Sequence, residues 1–323
     1  MLDDIIKKLE SIKAKRVLLQ APEGLKTKLP EIAAQLEQRG FEVIISAEPC
    51  FGSCDIRDRE AKLLDAVLVH IGHSDFGIKP EAKVIYDEWR FSVDPKPMLE
   101  TNLPILKRYK KIGLLTTLQY IDSLVHATEF LESKKIKCHI GTPVGGTMLG
   151  KAVYPGQVWG CDVSAATLIE NIVDAFLFMG TGRFHVLGIL EKTKKPVLFL
   201  NFDTGRIEDV SEERDRLMRI KAANIEEAKG MTHFAILLST KPGQFRPKVA
   251  LEIKRRLEQA GKKAWILLFD EIAPDKIIGM HFDVLVNTAC PRLSEDIERF
   301  EKPILNPEDI DALFEKPKKP SYE

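Results

Sequence analysis

Three apolar runs, each opened by an aspartate and closed by small residues, set the rhythm of this chain. They read LLDAVLVHIGHS from Leu63, NIVDAFLFMGTG from Asn171 and MHFDVLVNTACP from Met280, and their aspartates stand at the evenly spaced positions 65, 174 and 283. Ahead of each lies a second buried-strand pattern: RVLLQAPEG from Arg16, KIGLLTTLQ from Lys111 and HFAILLSTKPGQ from His233. Each of these leads into a stretch with apolar residues at three and four spacing, LKTKLPEIAAQLEQRG, YIDSLVHATEFLESKK and RPKVALEIKRRLEQAG, the pattern of an amphipathic helix. Gly40 and Gly261 close two of these helices where a left-handed C-cap is expected. Further strands are predicted at FEVIISAEP, IKCHIGTPV and KAWILLFDE, and short last strands at AKVIYDEW, KPVLFLNFD and KPILNP.

Continuous apolar strands alternating with helices imply parallel sheets covered on both faces, joined by right-handed crossovers. The expected fold class is therefore α/β: three Rossmann-like parallel-sheet units related by internal triplication. The units are placed at residues 1–100, 101–205 and 206–323, with VDPKPMLETNLP and DTGRIEDVSEER as connectors. Sheets of this kind carry their ligand loops at the carboxyl ends of the strands, so three facing units would enclose one central site.

Composition removes several function classes. Lys plus Arg and Asp plus Glu both number 48, so no net field draws the chain to nucleic acid or to an anionic membrane, and direct nucleic-acid binding is not expected. The first residues, MLDDIIKKLESIK, form a mixed-charge amphipathic helix, not a signal core, and no apolar run reaches bilayer length, which points to the cytoplasm. Five cysteines, an odd number without secretory features, argue for free thiols or metal ligands over a disulfide framework.

Each predicted unit places one cysteine in a loop after a strand: Cys54 in unit one, Cys161 in GQVWGCD of unit two and Cys290 in NTACPR of unit three. No local spacing rule links residues so far apart, but corresponding loops of a repeat can converge. Three thiolates about one point suit a 4Fe-4S cluster with one iron left open. Cysteine is also a common core residue, and Cys138, inside the strand pattern IKCHIGTPV, is read as one. EPCFGSCDIRD is ambiguous. It holds Cys50 and Cys54 four apart, with Arg57 where the third cysteine of a C-x3-C-x2-C radical-SAM triplet would stand. The residues alone allow a partial cluster motif, a redox dithiol or a shaped turn.

The loops QAPEGL and STKPGQFRP follow first strands and enter helices, so their N–H groups favour a carboxylate or phosphate, though neither is a phosphate fingerprint. The stretch 141–160 carries six glycines, a composition suited to close wrapping of a ligand or to a surface loop. His70 and His73 in HIGHSDFG are candidate ligands or bases, or else satisfied structural groups. Neither a Ser-His-Asp order nor H-E-x-x-H is found.

Through APEGL, PCFGSCDIRD, GHS, GGTMLGKAVYPGQVWGCD, STKPGQFRP and NTACPR, from about residue 16 to residue 296, the chain resembles the archaeal diphthamide biosynthesis enzymes that make 2-(3-amino-3-carboxypropyl)histidine. The resemblance implies a homodimer of three-domain subunits in which Cys54, Cys161 and Cys290 hold a 4Fe-4S cluster. It implies transfer of the 3-amino-3-carboxypropyl group of S-adenosylmethionine (SAM) to a histidine of translation elongation factor 2, the first step of diphthamide biosynthesis, with an electron donor as a further partner. On that footing PCFGSCDIRD supplies one ligand, Cys54, and is not a degraded radical-SAM triplet. Gly145, Gly146 and Gln157 are then expected to hold SAM, with Ser239, Lys241 and Gln244 at its amino acid end; Glu23, His73 and Arg292 are candidates to face substrate. Two other readings are kept: a quinolinate synthase-like 4Fe-4S enzyme, which also has three repeats with one cysteine each, and a non-catalytic subunit that holds a cluster.

Overall fold

The computed structural model describes residues 2–145, 150–294 and 300–314, and divides into two compact units, Met1–Ser211 and Glu212–Glu323. Three sheets occur among the described residues. The first is built from β1 (Arg16–Gln20), β2 (Glu42–Ile45), β3 (Val67–Ile71) and β4 (Val84–Asp87), in the order β2-β1-β3-β4. The second holds β5 (Lys111–Thr116), β6 (Lys137–His139), β7 (Ala175–Gly180), β8 (Val197–Asn201) and β9 (Arg206–Asp209), in the order β6-β5-β7-β8-β9. The third, in the unit Glu212–Glu323, holds β10 (His233–Ser239), β11 (Lys263–Phe269), β12 (Val284–Asn287) and β13 (Ile304–Leu305), in the order β11-β10-β12-β13. Pairing is parallel throughout except at β8 and β9. The chain is thus an α/β protein of several parallel sheets, and each sheet has its first strand in the interior, beside the third.

The apolar runs are buried on both faces because successive side chains point to opposite sides. In β7, Phe176 and Phe178 join the core on one face while Leu177 and Met179 join that on the other. In β10, Phe234, Ile236 and Leu238 oppose Ala235 and Leu237. The recurrent aspartate has a clear task in two of the sheets. A carboxylate oxygen of Asp174 accepts the N–H groups of Lys110 and Lys111, at 3.0 and 2.9 Å, and one of Asp283 accepts those of Thr232 and His233, at 3.2 and 2.8 Å. Each pins the start of the neighbouring first strand. Asp65 departs from this pattern: it takes a left-handed conformation, φ 50°, and Arg16 reaches across to the carbonyl of Leu64.

Between first strand and helix each sheet inserts a short 3-10 turn, Glu23–Lys28, Leu118–Tyr120 and Pro242–Gln244, before the α-helices Leu29–Glu37, Ser123–Ser133 and Pro247–Gln259. The first helix therefore begins at Leu29, later than its periodicity suggests; Pro30 fits the first turn, where its missing N–H costs nothing. All three helices end alike. The N–H of Phe41, Ile136 and Lys262 returns to the carbonyl of Leu36, Leu131 and Leu257, across a left-handed residue at Gly40, Lys135 or Gly261.

The stretches read as connectors are not structureless. Lys96–Thr101 and Leu103–Leu106 are helical and bury Leu99 and Leu106 in the core of the second sheet. Arg206–Asp209 forms β9, folded back on β8 through a turn at Gly205, φ 68°. The charged helix Glu213–Gly230, which opens the second unit, has Asp and Glu in its first turn and Lys in its last, the arrangement that suits the helix dipole.

Candidate functional site

Cys50 is buried, and Cys54, Cys138, Cys161 and Cys290 are half-buried. Cys138 sits in β6 against the core of the second sheet, its S–H aimed at the carbonyl of Ile136; burial, with a smaller push from Glu132, raises its thiol to about 12, as suits a packing residue.

The loop after β2 carries Cys54 inside a turn closed from Asp55 N–H to the Gly52 carbonyl at 3.0 Å. Gln20, the last residue of β1, holds the outgoing side of that turn. Its Nε2 donates to the Asp55 carbonyl at 2.7 Å and its Oε1 accepts the Arg57 N–H at 3.1 Å. The same oxygen faces Nδ1 of His70 at 2.9 Å, and His70 Nε2 faces His73 Nδ1 at 3.0 Å. Gln20 and His70 are fully buried. Burial, then the neighbouring His73, pushes His70 well below the ordinary histidine range, and burial brings His73 to about 4, so both rings are uncharged near neutrality. Cys50, also buried, brings its sulfur near: one ligand atom each of Cys50, His70 and His73 lie within 4.8 Å of one another.

The glycine loop before Cys161 is fastened to both neighbouring sheets. Gln157 forms a parallel bridge with Thr116 at the end of β5, and its Oε1 accepts the N–H groups of Val153 and Tyr154, both at 2.9 Å. Its Nε2 lies 3.5 Å from Ser74 Oγ, so this expected SAM contact is engaged in holding its own loop. Gly145 adopts φ 100°, and its N–H, like that of Val144, points at Ser164 Oγ. Gly146 lies outside the described residues. Trp159 stacks on Phe76 with centroids 4.8 Å apart, and a Cβ on Gly150 would fall 2.3 Å from Phe76, so the GHSDFG loop and the glycine loop pack closely. Asp162 ties the ends together: its carboxylate accepts Ala152 N–H at 2.8 Å and Ser164 N–H at 3.0 Å. Gly160, just before Cys161, lies so near the helix Phe184–Lys192 that a Cβ on Gly188 would stand 2.7 Å from its carbonyl oxygen.

In the second unit, Asn287 at the end of β12 clasps the Cys290 loop. Its Nδ2 donates to the Cys290 carbonyl at 2.9 Å and its Oδ1 accepts Ala289 N–H at 3.0 Å. Across the first strand of this sheet, Ser239, Lys241 and Gln244 are all buried, and Ser239 Oγ accepts the Lys241 N–H at 3.2 Å. Burial lowers Arg246 nearby, with Glu308 opposing. Arg292 lies in the short 3-10 turn Pro291–Ser294 that follows Cys290. Glu23 is exposed and paired with Lys26 at 2.6 Å, which places it on a solvated turn.

Gln20, Asp162 and Asn287 are the residues that reading from sequence missed. Each is a polar residue at or next to a motif already in view, and only the paired strands show that it is buried.

The donor set fits an iron-sulfur cluster: soft thiols on turns fixed by hydrogen bonds and by close glycine contacts. Comparison with known proteins gives the setting. The chain is 35% identical to the 2-(3-amino-3-carboxypropyl)histidine synthase of Pyrococcus horikoshii over 96% of its own length and 89% of that protein. It is 28% identical to the synthase of the same name from Methanocaldococcus jannaschii, over 95% of this chain and 87% of the other. A crystal structure of Dph2 from Pyrococcus horikoshii with a 4Fe-4S cluster superposes with a TM-score of 0.89 and 34% identity, covering 97% of this chain and 89% of that one. The model of the diphthamide synthesis protein family matches residues 21–323, and the chain belongs to that family.

Proposed function

We propose that this chain is a 2-(3-amino-3-carboxypropyl)histidine synthase: it transfers the 3-amino-3-carboxypropyl group of SAM to a histidine of translation elongation factor 2. The observation that carries the reading is the repeated placement of one half-buried cysteine on a clasped loop in each of three sheets of like strand order, as expected of three units related by triplication. Cys54, Cys161 and Cys290 would hold one 4Fe-4S cluster between them. When bound, such a cluster supplies one electron and one open iron for cleaving a sulfonium C–S bond.

The protein's own contribution is aim. Which of the three C–S bonds breaks depends on how SAM is held, so positioning groups matter more than general bases. Buried Lys241, with Ser239 and Gln244 held to its backbone and buried with it, suits the SAM carboxylate. Gly145, whose φ of 100° most residues avoid, lets the backbone of the glycine loop approach the rest of the molecule. Two such chains would form the working homodimer, and an electron donor would reduce each cluster.

The test is anaerobic purification with iron and sulfide assay, followed by dithionite and SAM. The expected result is about four irons per chain for the cubane just described, and release of methylthioadenosine, not 5′-deoxyadenosine. Cys54→Ala, Cys161→Ala and Cys290→Ala each remove the visible absorbance, and Cys138→Ala keeps it. A full cluster in all three loop variants overturns the ligand assignment. Deoxyadenosine as the main product from intact protein overturns the reaction. An intact cluster that forms neither product would point to the non-catalytic or quinolinate synthase-like readings.

A further inference from the structure

We propose that Gln20, backed by His70 and His73, is the positioning residue of the Cys54 loop, setting where that sulfur stands in the cluster site. The inference rests on the reading of Cys54 as a ligand.

The geometry is that of a strand partner made from a side chain. A residue in a parallel ladder is held by its neighbour through the carbonyl before it and the N–H after it. Ile56 is held in that way, but by one carboxamide: Gln20 takes the Asp55 carbonyl with its NH2 and the Arg57 N–H with its oxygen. Ile56 itself is buried beneath, in the core shared with Leu18 and Leu68. The peptide that follows Cys54 is thereby fixed to β1, although no strand is there to fix it. On the other side of the cysteine, the Phe51 N–H points at Asp55 Oδ2, 3.4 Å away, so the turn is held at both ends.

What keeps Gln20 in place is proton bookkeeping that has one solution. A backbone carbonyl only accepts and a backbone N–H only donates, so the amide orientation is determined. Gln20 Oε1 is therefore an acceptor toward His70, and His70 Nδ1 must carry its hydrogen. An uncharged His70 is then bare at Nε2 and accepts from the Nδ1–H of His73. Hydrogens run in one direction, from His73 through His70 to Gln20, and both lone pairs of the glutamine oxygen are used. Gln20 and His70 are opposite one another in the β1–β3 register, so the chain of bonds stands on two interior strands. Supporting groups behind metal ligands act in this manner, by fixing the ligand's direction without touching the metal.

Cys50 offers these imidazoles a different use, as a three-residue site for a divalent metal such as zinc. With Nδ1 of His70 committed to Gln20, a metal there would take His70 through Nε2 and displace the hydrogen that His73 gives it. Stoichiometric zinc therefore counts against the positioning chain.

The experiment uses the full chain, reconstituted anaerobically, with folding checked by circular dichroism. Gln20→Leu keeps the shape and removes all three hydrogen bonds; Gln20→Glu keeps the acceptor and loses the donor to Asp55. His70→Asn keeps an amide N–H where Nδ1 stood, and so keeps the bond to Gln20 while cutting the link to His73. The readouts are iron and sulfide per chain, the electron paramagnetic resonance spectrum of the dithionite-reduced cluster, and the half-life of visible absorbance in air. Expected are a changed spectrum and an absorbance half-life shorter on the order of tenfold for Gln20→Leu, an intermediate result for Gln20→Glu, and near wild-type behaviour for His70→Asn. If Gln20→Leu does not fold, the ordering of Gln20→Glu against His70→Asn decides. Wild-type spectra and half-lives in the Gln20 variants overturn the inference, as does one zinc per chain that Cys50→Ala removes. Wild-type protein without iron would instead overturn the cluster reading on which it rests.

Discussion

The loops of Cys54 and Cys290 are both clasped by a buried amide at a strand end, yet the amides come from opposite kinds of place. Asn287 lies three residues before Cys290 and closes its loop locally, in the manner of an Asx turn. Gln20 reaches Asp55 across 35 residues and needs β1 already paired beside β3. A local clasp can form as soon as its strand ends; a distant one forms only when the sheet does, because loop closure must come first. The Cys54 turn should therefore report on the whole first sheet, and the Cys290 turn on its own strand.

The Cys161 loop combines both kinds and should be the most sensitive to a single change. Asp162→Ala would strand the N–H groups of Ala152, ten residues before the aspartate, and Ser164, two residues after it, at a position where the aspartate is only 1% exposed. Orphaned buried donors each cost about 1–3 kcal/mol, so the expected loss is ~3 kcal/mol in chemical unfolding. Iron retention should fall with it. Unchanged stability would mean that the loop is held elsewhere and that the aspartate is incidental.

Asn287→Ala tests the local clasp with a smaller effect. It removes the bond to the Cys290 carbonyl, the one from Ala289 and one to Asn306 Oδ1 at 3.2 Å. A loop this short can regain water at its backbone, so the expected cost is about 1–2 kcal/mol. The cluster spectrum should shift without loss of iron. Loss of iron as complete as in Cys290→Ala would show that local and distant clasps do not differ in the way argued.

Much of the fold was legible because β1, β3, β5, β7, β10 and β12 are apolar on both faces, and only a sheet covered on both sides buries such runs. The cysteine loops were legible because each departs from that pattern with small and polar residues outside the strands. What stayed hidden were side chains whose meaning is set by a partner far along the chain. Gln20 reads as an ordinary polar residue closing a strand until His70 and Asp55 stand beside it. The loop contacts of Gln157 stayed hidden for the same reason: its oxygen accepts from Val153 and Tyr154, which only the folded loop shows. β9 was hidden because RIED buries only Ile207, so its pattern is too short and too polar to stand out from a connector.

The smallest expected effect lies away from the site and compares the helices of the three sheets with one another. All three helices after the first strands close with the same returning bond, but the left-handed position is glycine in two, Gly40 and Gly261, and lysine in the third, Lys135 at φ 67°. A side chain in that conformation crowds its own backbone, at a cost of roughly 1 kcal/mol that glycine avoids. Glycine also widens the unfolded ensemble, which offsets part of the gain. Lys135→Gly should therefore raise stability by about 0.5–1 kcal/mol in chemical denaturation, with iron content and turnover unchanged. The reverse change, Gly261→Lys, should lower it by a similar amount. A destabilised Lys135→Gly would show that the long lysine stem contributes packing on the helix end beyond what the shared cap explains.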